Sequence, residues 1–172
     1  MKREQGFTLI ELLIVVAIIS IVASIAVPSL MRAKMSGNET AALADLRQVT
    51  VAETMYSVGC GNGGYAILLT TLGVAPPGST EPFLSQPLTS SASPIKENYT
   101  FTVAIGRGAV NVGTDCNGTA TKTGYYVKAV PLSLGSSGSR SFAANASGTI
   151  WQDTSATAPT EPFGSPATPI GG

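Results

Sequence analysis

The sequence predicts an α+β fold: a long N-terminal α-helix whose second half packs on a roughly four-stranded antiparallel sheet. Three observations carry this. Phe7 to Val27 is apolar except for Thr8, Glu11, Ser20 and Ser24. Met35, Ala42, Leu46, Val49, Ala52 and Tyr56 then recur at helical spacing and form one apolar stripe. From Tyr99 onward, apolar residues alternate with polar ones, as in half-buried strands.

The first element is a membrane-length run. As a helix it rises about 31 Å, the thickness of a bilayer's hydrocarbon core. Lys2 and Arg3 precede it and place Met1 in the cytoplasm, a bias that Arg32 and Lys34 weaken. A cleaved signal peptide or a plain anchor accounts for the length. Neither gives Glu11 a purpose, although an acid deep in a bilayer costs about 2.5–3.5 kcal/mol and ordinarily has a partner.

Gly6-Phe7-Thr8-Leu9-Ile10-Glu11, followed by the apolar run and Pro28, resembles the N-terminus of type IV pilins and of type II secretion pseudopilins. The match covers about Lys2 to Pro28 and includes a short basic leader, which also holds Glu4. The resemblance implies cleavage between Gly6 and Phe7 by a prepilin peptidase. It implies N-methylation of the new Phe7 amine by the same enzyme. It also implies pairing of Glu11 with the Phe7 amine of a neighbouring subunit. Gly6 suits close approach of a protease, since it has no Cβ.

Pro28 removes a helical donor and Gly37 weakens a helix, so both are expected kink positions. Asn38-Glu39-Thr40 reads as a helix restart capped by Asn38. Arg47, Gln48 and Glu53 read as lying mostly off the apolar stripe. The helix is expected to end near Ser57, before the glycine-rich Gly59 to Gly64 stretch. Tyr65 to Val74 is a short apolar piece whose type periodicity leaves open, and Ala75 to Pro94 reads as a Pro/Ser-rich loop.

In the sheet, Tyr99, Phe101, Val103 and Ile105 are expected on one face. Gly124 to Pro131 is a second strand, and Arg140 to Gln152 a hairpin turning at Asn145-Ala146-Ser147-Gly148. Gly106 to Gly113 is glycine-rich but lacks the ending of a phosphate loop and reads as a loop. From Asp153 onward the chain is too poor in apolar residues to fold alone and reads as an extended tail draped on the surface, with a Ser/Thr/Pro mix like that of O-glycosylated stalks. The organisation expected is a leader (1–6), an apolar transmembrane and filament-core helix (7–28) and the ectodomain half of the helix (29–58). A helix-to-sheet region (59–98), the sheet (99–152) and a tail (153–172) follow.

Composition narrows the chemistry. The chain has no histidine, so the commonest general base and metal ligand are missing together. Neither an enzyme nor a cofactor is expected. Lysines and arginines equal aspartates and glutamates at 10 each, so no specific nucleic-acid partner is inferred. Asp115, Asp153 and Glu161 are too scattered to suggest the six to eight oxygen ligands of calcium, and the Pro-Trp-Gly calcium element of major pseudopilins is not evident around Trp151. Four N-x-S/T sequons, at Asn38, Asn98, Asn117 and Asn145, are read as chance. Cys60 and Cys116 are the two cysteines. If this region is exported they are expected to pair, stabilising by about 4 kcal/mol on a loop-entropy view.

The function expected is a structural subunit of a type IV pilus-like filament, a homo-oligomer polymerised through the N-terminal helix. Its implied partners are the prepilin peptidase, membrane lipid before assembly, and an inner-membrane platform with an ATPase motor. The inner membrane and then the cell surface are its expected locations. A type II secretion pseudopilin is the alternative, and a non-polymerising, membrane-anchored binding module is a third reading.

Overall fold

A computed structural model describes residues 6–170. The leader residues Lys2, Arg3 and Glu4 lie outside that range. The chain divides into two compact units, one ending at Lys34 and one beginning at Met35.

The first unit holds the apolar part of α1, a helix spanning Leu9–Gly59. Its large apolar side chains are exposed at every position from Phe7 to Met31. The helix is assigned through both Pro28 and Gly37, so neither residue ends it. Pro28 still leaves the carbonyl of Ser24 without its helical donor. Asn38 does not cap a restart. It lies inside α1, and its amide donates to the Ser137 carbonyl at 2.8 Å.

The second unit is built on the rest of α1. The predicted stripe is its inner face: Ala42, Leu46, Val49, Ala52 and Tyr56 are buried, and Met35 is half-buried. Glu53, expected off the stripe, is fully buried on it, and Glu39 and Asp45 are buried as well. The chain leaves α1 at Gly59, close to the expected end. The undecided apolar piece forms a single helical turn, α2 (Leu69–Leu72), and Leu69 and Leu72 enter the core.

The strands are β1 (Ile95–Lys96), β2 (Tyr99–Ile105), β3 (Asn111–Thr114), β4 (Ala120–Lys122), β5 (Tyr125–Pro131), β6 (Ser141–Asn145), β7 (Ile150–Asp153) and β8 (Thr168–Pro169). The expected strands are β2, β5, β6 and β7, adjacent and antiparallel. Two-residue strands flank them, giving a six-stranded sheet in the order β1-β2-β5-β6-β7-β8. β1 and β2 are joined by Glu97 and Asn98, both at positive φ (49° and 60°). That is the turn geometry whose twist suits a two-residue hairpin. The β6–β7 turn falls where expected, with Gly148 at φ 79° and its N–H donating to the Asn145 carbonyl.

Tyr99, Phe101 and Val103 face α1, but Ile105 at the strand end is exposed, a correction to the alternation. The Gly106–Gly113 stretch is not all loop either. Its second half forms β3, which pairs only with β4 in a separate two-stranded sheet.

The segment after Asp153 is draped on the rest of the second unit. Ala158, Pro159 and Ala167 are buried. Tyr126 donates its hydroxyl to the Pro159 carbonyl at 2.6 Å, and Ser141 donates to the Thr157 carbonyl at 2.8 Å. Tyr126 and Ser141 alternate with the residues that face α1, so the segment lies across the outer face of the sheet. Its apolar content cannot fold alone, yet it suffices to cover a surface already built.

Candidate functional site

The N-terminal motif starts at the helix boundary. Thr8 immediately precedes α1, and its carbonyl accepts the first helical hydrogen bond, from Leu12 N–H at 3.3 Å. One Glu11 carboxylate oxygen accepts from the Thr8 N–H at 2.9 Å and from the Thr8 hydroxyl at 2.6 Å. In return Glu11 N–H donates to Thr8 Oγ1 at 3.2 Å. This is a reciprocal capping box, in which an N-cap threonine and the glutamate three residues on satisfy each other's backbone donors. Glu11 therefore has a local role in the isolated chain that the sequence reading did not assign. The signal for it is the T-x-x-E spacing of Thr8 and Glu11.

The other polar side chains of the apolar run are satisfied within the helix. Ser20 donates to the Val16 carbonyl at 2.7 Å, and Ser24 to that of Ile21 at 2.8 Å. A hydroxyl bonded to its own helix carries little penalty in hydrocarbon. The segment is long and apolar enough to cross a membrane, and none of its most apolar window is buried. Gly6 and Phe7 lie just outside the helix, and Phe7 is 85% exposed. Chemically, the arrangement is an open backbone at a glycine, a carboxylate one turn into a helix, and a wholly unpartnered apolar cylinder.

The profile described as the prokaryotic N-terminal methylation motif matches residues 1–27. The chain carries that motif at its N-terminal end. Over 58 residues it is 43% identical to the "Type IV wide pilus major component PilA4" of Thermus thermophilus, covering 34% of this chain and 44% of that protein. It is 36% identical over 58 residues to "Type II secretion system core protein G" of Klebsiella pneumoniae, 34% of this chain and 41% of that protein. It is also 41% identical over 54 residues to the "Type IV major pilin protein PilA" of Myxococcus xanthus, 31% of this chain and 24% of that protein. The chain thus matches less than half the length of these curated relatives. No solved structure matches.

Beyond that motif, buried acids pin α1 to the rest of the second unit. Glu39 accepts from Ser139 N–H and Oγ, each at 2.6 Å, and from Arg140 Nη2 and Nε at 2.6 and 2.9 Å. Burial opposes its charge, but these donors outweigh it and hold the carboxyl below the ordinary glutamate range. Asp45 pairs with Lys96 Nζ at 2.6 Å, which ties β1 to the helix. Glu53 accepts from Ala66 N–H at 2.9 Å, while its other oxygen has no hydrogen-bond partner. Burial, only partly offset by that bond, pushes its carboxyl up to about 8.

At the end of α1, Cys60 and Cys116 are disulfide-bonded, with Cα atoms 4.9 Å apart and a sequence separation of 56. Beside them Tyr56 donates its hydroxyl to Asp115 Oδ2 at 2.7 Å. The other oxygen of Asp115 accepts the backbone N–H groups of Asn117 and Thr119, which shapes the β3–β4 turn. Cys116 N–H donates to the Cys60 carbonyl at 2.8 Å. The bond therefore staples the helix end to the small sheet.

Proposed function

We propose that the chain is a structural subunit of a type IV pilus-like filament. The observation that carries this reading is the prepilin segment itself: a helix start with Glu11 in its first turn and an apolar surface exposed all round. Prepilin peptidase cuts between Gly6 and Phe7 and methylates the Phe7 amine. The segment then holds the subunit in the inner membrane, N-terminus inward, until an assembly platform and its ATPase motor load it into the filament. There Glu11 pairs with the Phe7 amine of a neighbouring copy. One Glu11 oxygen is committed to Thr8, and the carboxylate as a whole remains exposed and able to take that partner. Pro28 and Gly37 are the positions at which α1 bends or stretches in the filament. The subunit itself does no catalysis.

The relatedness to the Klebsiella pneumoniae secretion protein favours a second reading, a pseudopilin of a type II secretion system. Deletion separates the two. A pilus subunit takes sheared surface filaments with it, whereas a pseudopilin takes exoprotein release. Mass spectrometry of the mature chain tests the processing step. The expected N-terminus is methylated Phe7, and an N-terminus anywhere else overturns the reading.

A further inference from the structure

The outer face of the sheet carries a cleft built from none of the residues to which the proposed assembly assigns a role. Ile150 packs toward α1, so the next residue of β7, Trp151, points to the opposite face. There Trp151 stacks on Phe163 with ring centroids 5.5 Å apart and planes 19° apart. Both rings line an open cleft of about 630 Å³, together with Arg107, Ser147, Thr149 and Glu161. That volume lies within the range of small-molecule sites.

The polar rim is held in place yet has hydrogen-bonding capacity left over. Glu161 Oε2 accepts Arg107 N–H at 2.6 Å, and Oε1 accepts the Asn145 amide at 2.5 Å, which fixes the carboxylate. Each of those oxygens retains a lone pair. The Ser147 and Thr149 hydroxyls are exposed, and Arg107 keeps guanidinium donors beyond its one long contact to the Glu161 carbonyl. A second cleft, of about 320 Å³, shares Arg107 and Glu161 with the first and continues past Tyr126 and Lys128.

The geometry points to a neutral oligosaccharide as the ligand of this cleft. A sugar ring presents an apolar C–H face and a rim of hydroxyls that both donate and accept. Aromatic side chains, a fixed carboxylate, a guanidinium and free hydroxyls match that pattern group for group. In the first cleft the single charges of Arg107 and Glu161 offset each other, and with Lys128 the two clefts together carry one net positive charge, short of the positive track that a phosphate backbone requires. The adjoining cleft extends the site toward a second ring. The cleft lies wholly within the second unit, so binding does not depend on the filament assembly proposed above.

Trp151 is the chain's one tryptophan, so its emission reports on the cleft alone. The test uses the full unassembled chain in a detergent without a sugar headgroup, titrated with a panel of neutral di- to tetrasaccharides and with a single-stranded DNA oligonucleotide. The expected result is a saturable change in tryptophan emission with at least one oligosaccharide and none with the DNA. Arg107→Ala and Thr149→Val are surface changes compatible with folding, and each is expected to weaken binding about tenfold, the worth of one charge-assisted or well-placed hydrogen bond. A response to DNA in place of sugar, silence across the panel, or sugar binding unaffected by both substitutions overturns the proposal. Because no filament is involved, a failure here leaves the assembly reading standing, and the reverse also holds.

Discussion

At the scale of single residues, acids carry the argument. Glu11 caps its own helix through Thr8, and in the proposed filament it also pairs with an amine. The two roles separate by mutation. Thr8→Ala removes the cap at a cost of about 1 kcal/mol but keeps the charge, so assembly is expected to persist. Glu11→Ala removes both. Losing one member of a buried pair costs about 3–5 kcal/mol, so sheared filaments are expected to fall by two orders of magnitude while the second unit stays folded. Comparing filament yields of the two variants checks this. Glu53 gives a pH prediction. Its folded pKa, about 8, lies above the ordinary 4.5, so the native state holds a proton that the unfolded chain has lost. Its contribution to stability is present below pH 4.5 and declines as pH rises through about 8. Denaturant unfolding of the full chain is expected to show that decline, and Glu53→Gln, which keeps an oxygen for Ala66 N–H, is expected to flatten it. Glu39 runs the other way: its carboxyl is depressed, so its contribution is lost as pH falls below the ordinary carboxylate range.

At the scale of elements, the sequence revealed the central strands and the inner face of α1, because both rest on periodicity that any buried face must show. It did not reveal the buried acids. Each looks like a polar break in an apolar stripe until its partner is known, and Lys96 and Arg140 lie 51 and 101 residues away from Asp45 and Glu39 in the chain. Composition read the segment after Asp153 as a surface-draped tail, but did not show which residues it buries. Its few apolar residues cannot nucleate a core, but burying Ala158 and Ala167 needs only the finished sheet beneath them. The Cys60–Cys116 bond joins a helix end to a small sheet that pairs with no strand of the larger one. Opening it is expected to cost about 4 kcal/mol on the loop-entropy view. The Cys60→Ser, Cys116→Ser double variant should therefore melt well below the parent chain, and thermal unfolding monitored by circular dichroism measures the difference.

At the scale of the whole molecule, the two units answer to different physics. The second has its own core, ion pairs whose acids are buried, and a covalent staple. Among the described residues, the most apolar window of the first unit's helix is not buried at all. Filaments held through such helices are expected to come apart in detergent into subunits that keep native near-ultraviolet circular dichroism, and dispersal with loss of that signal would count against the division. The internal bonding of Ser20 and Ser24 has a further consequence. A helix whose hydroxyls are already occupied carries no unmet demand into either a lipid or a protein surrounding. Lipid tails are as apolar as leucine, so moving between them brings no hydrophobic gain in either direction. In the proposed filament, the exchange of this segment between bilayer and filament core is then decided by the Glu11 charge and not by the apolar surface, so one and the same surface serves both surroundings.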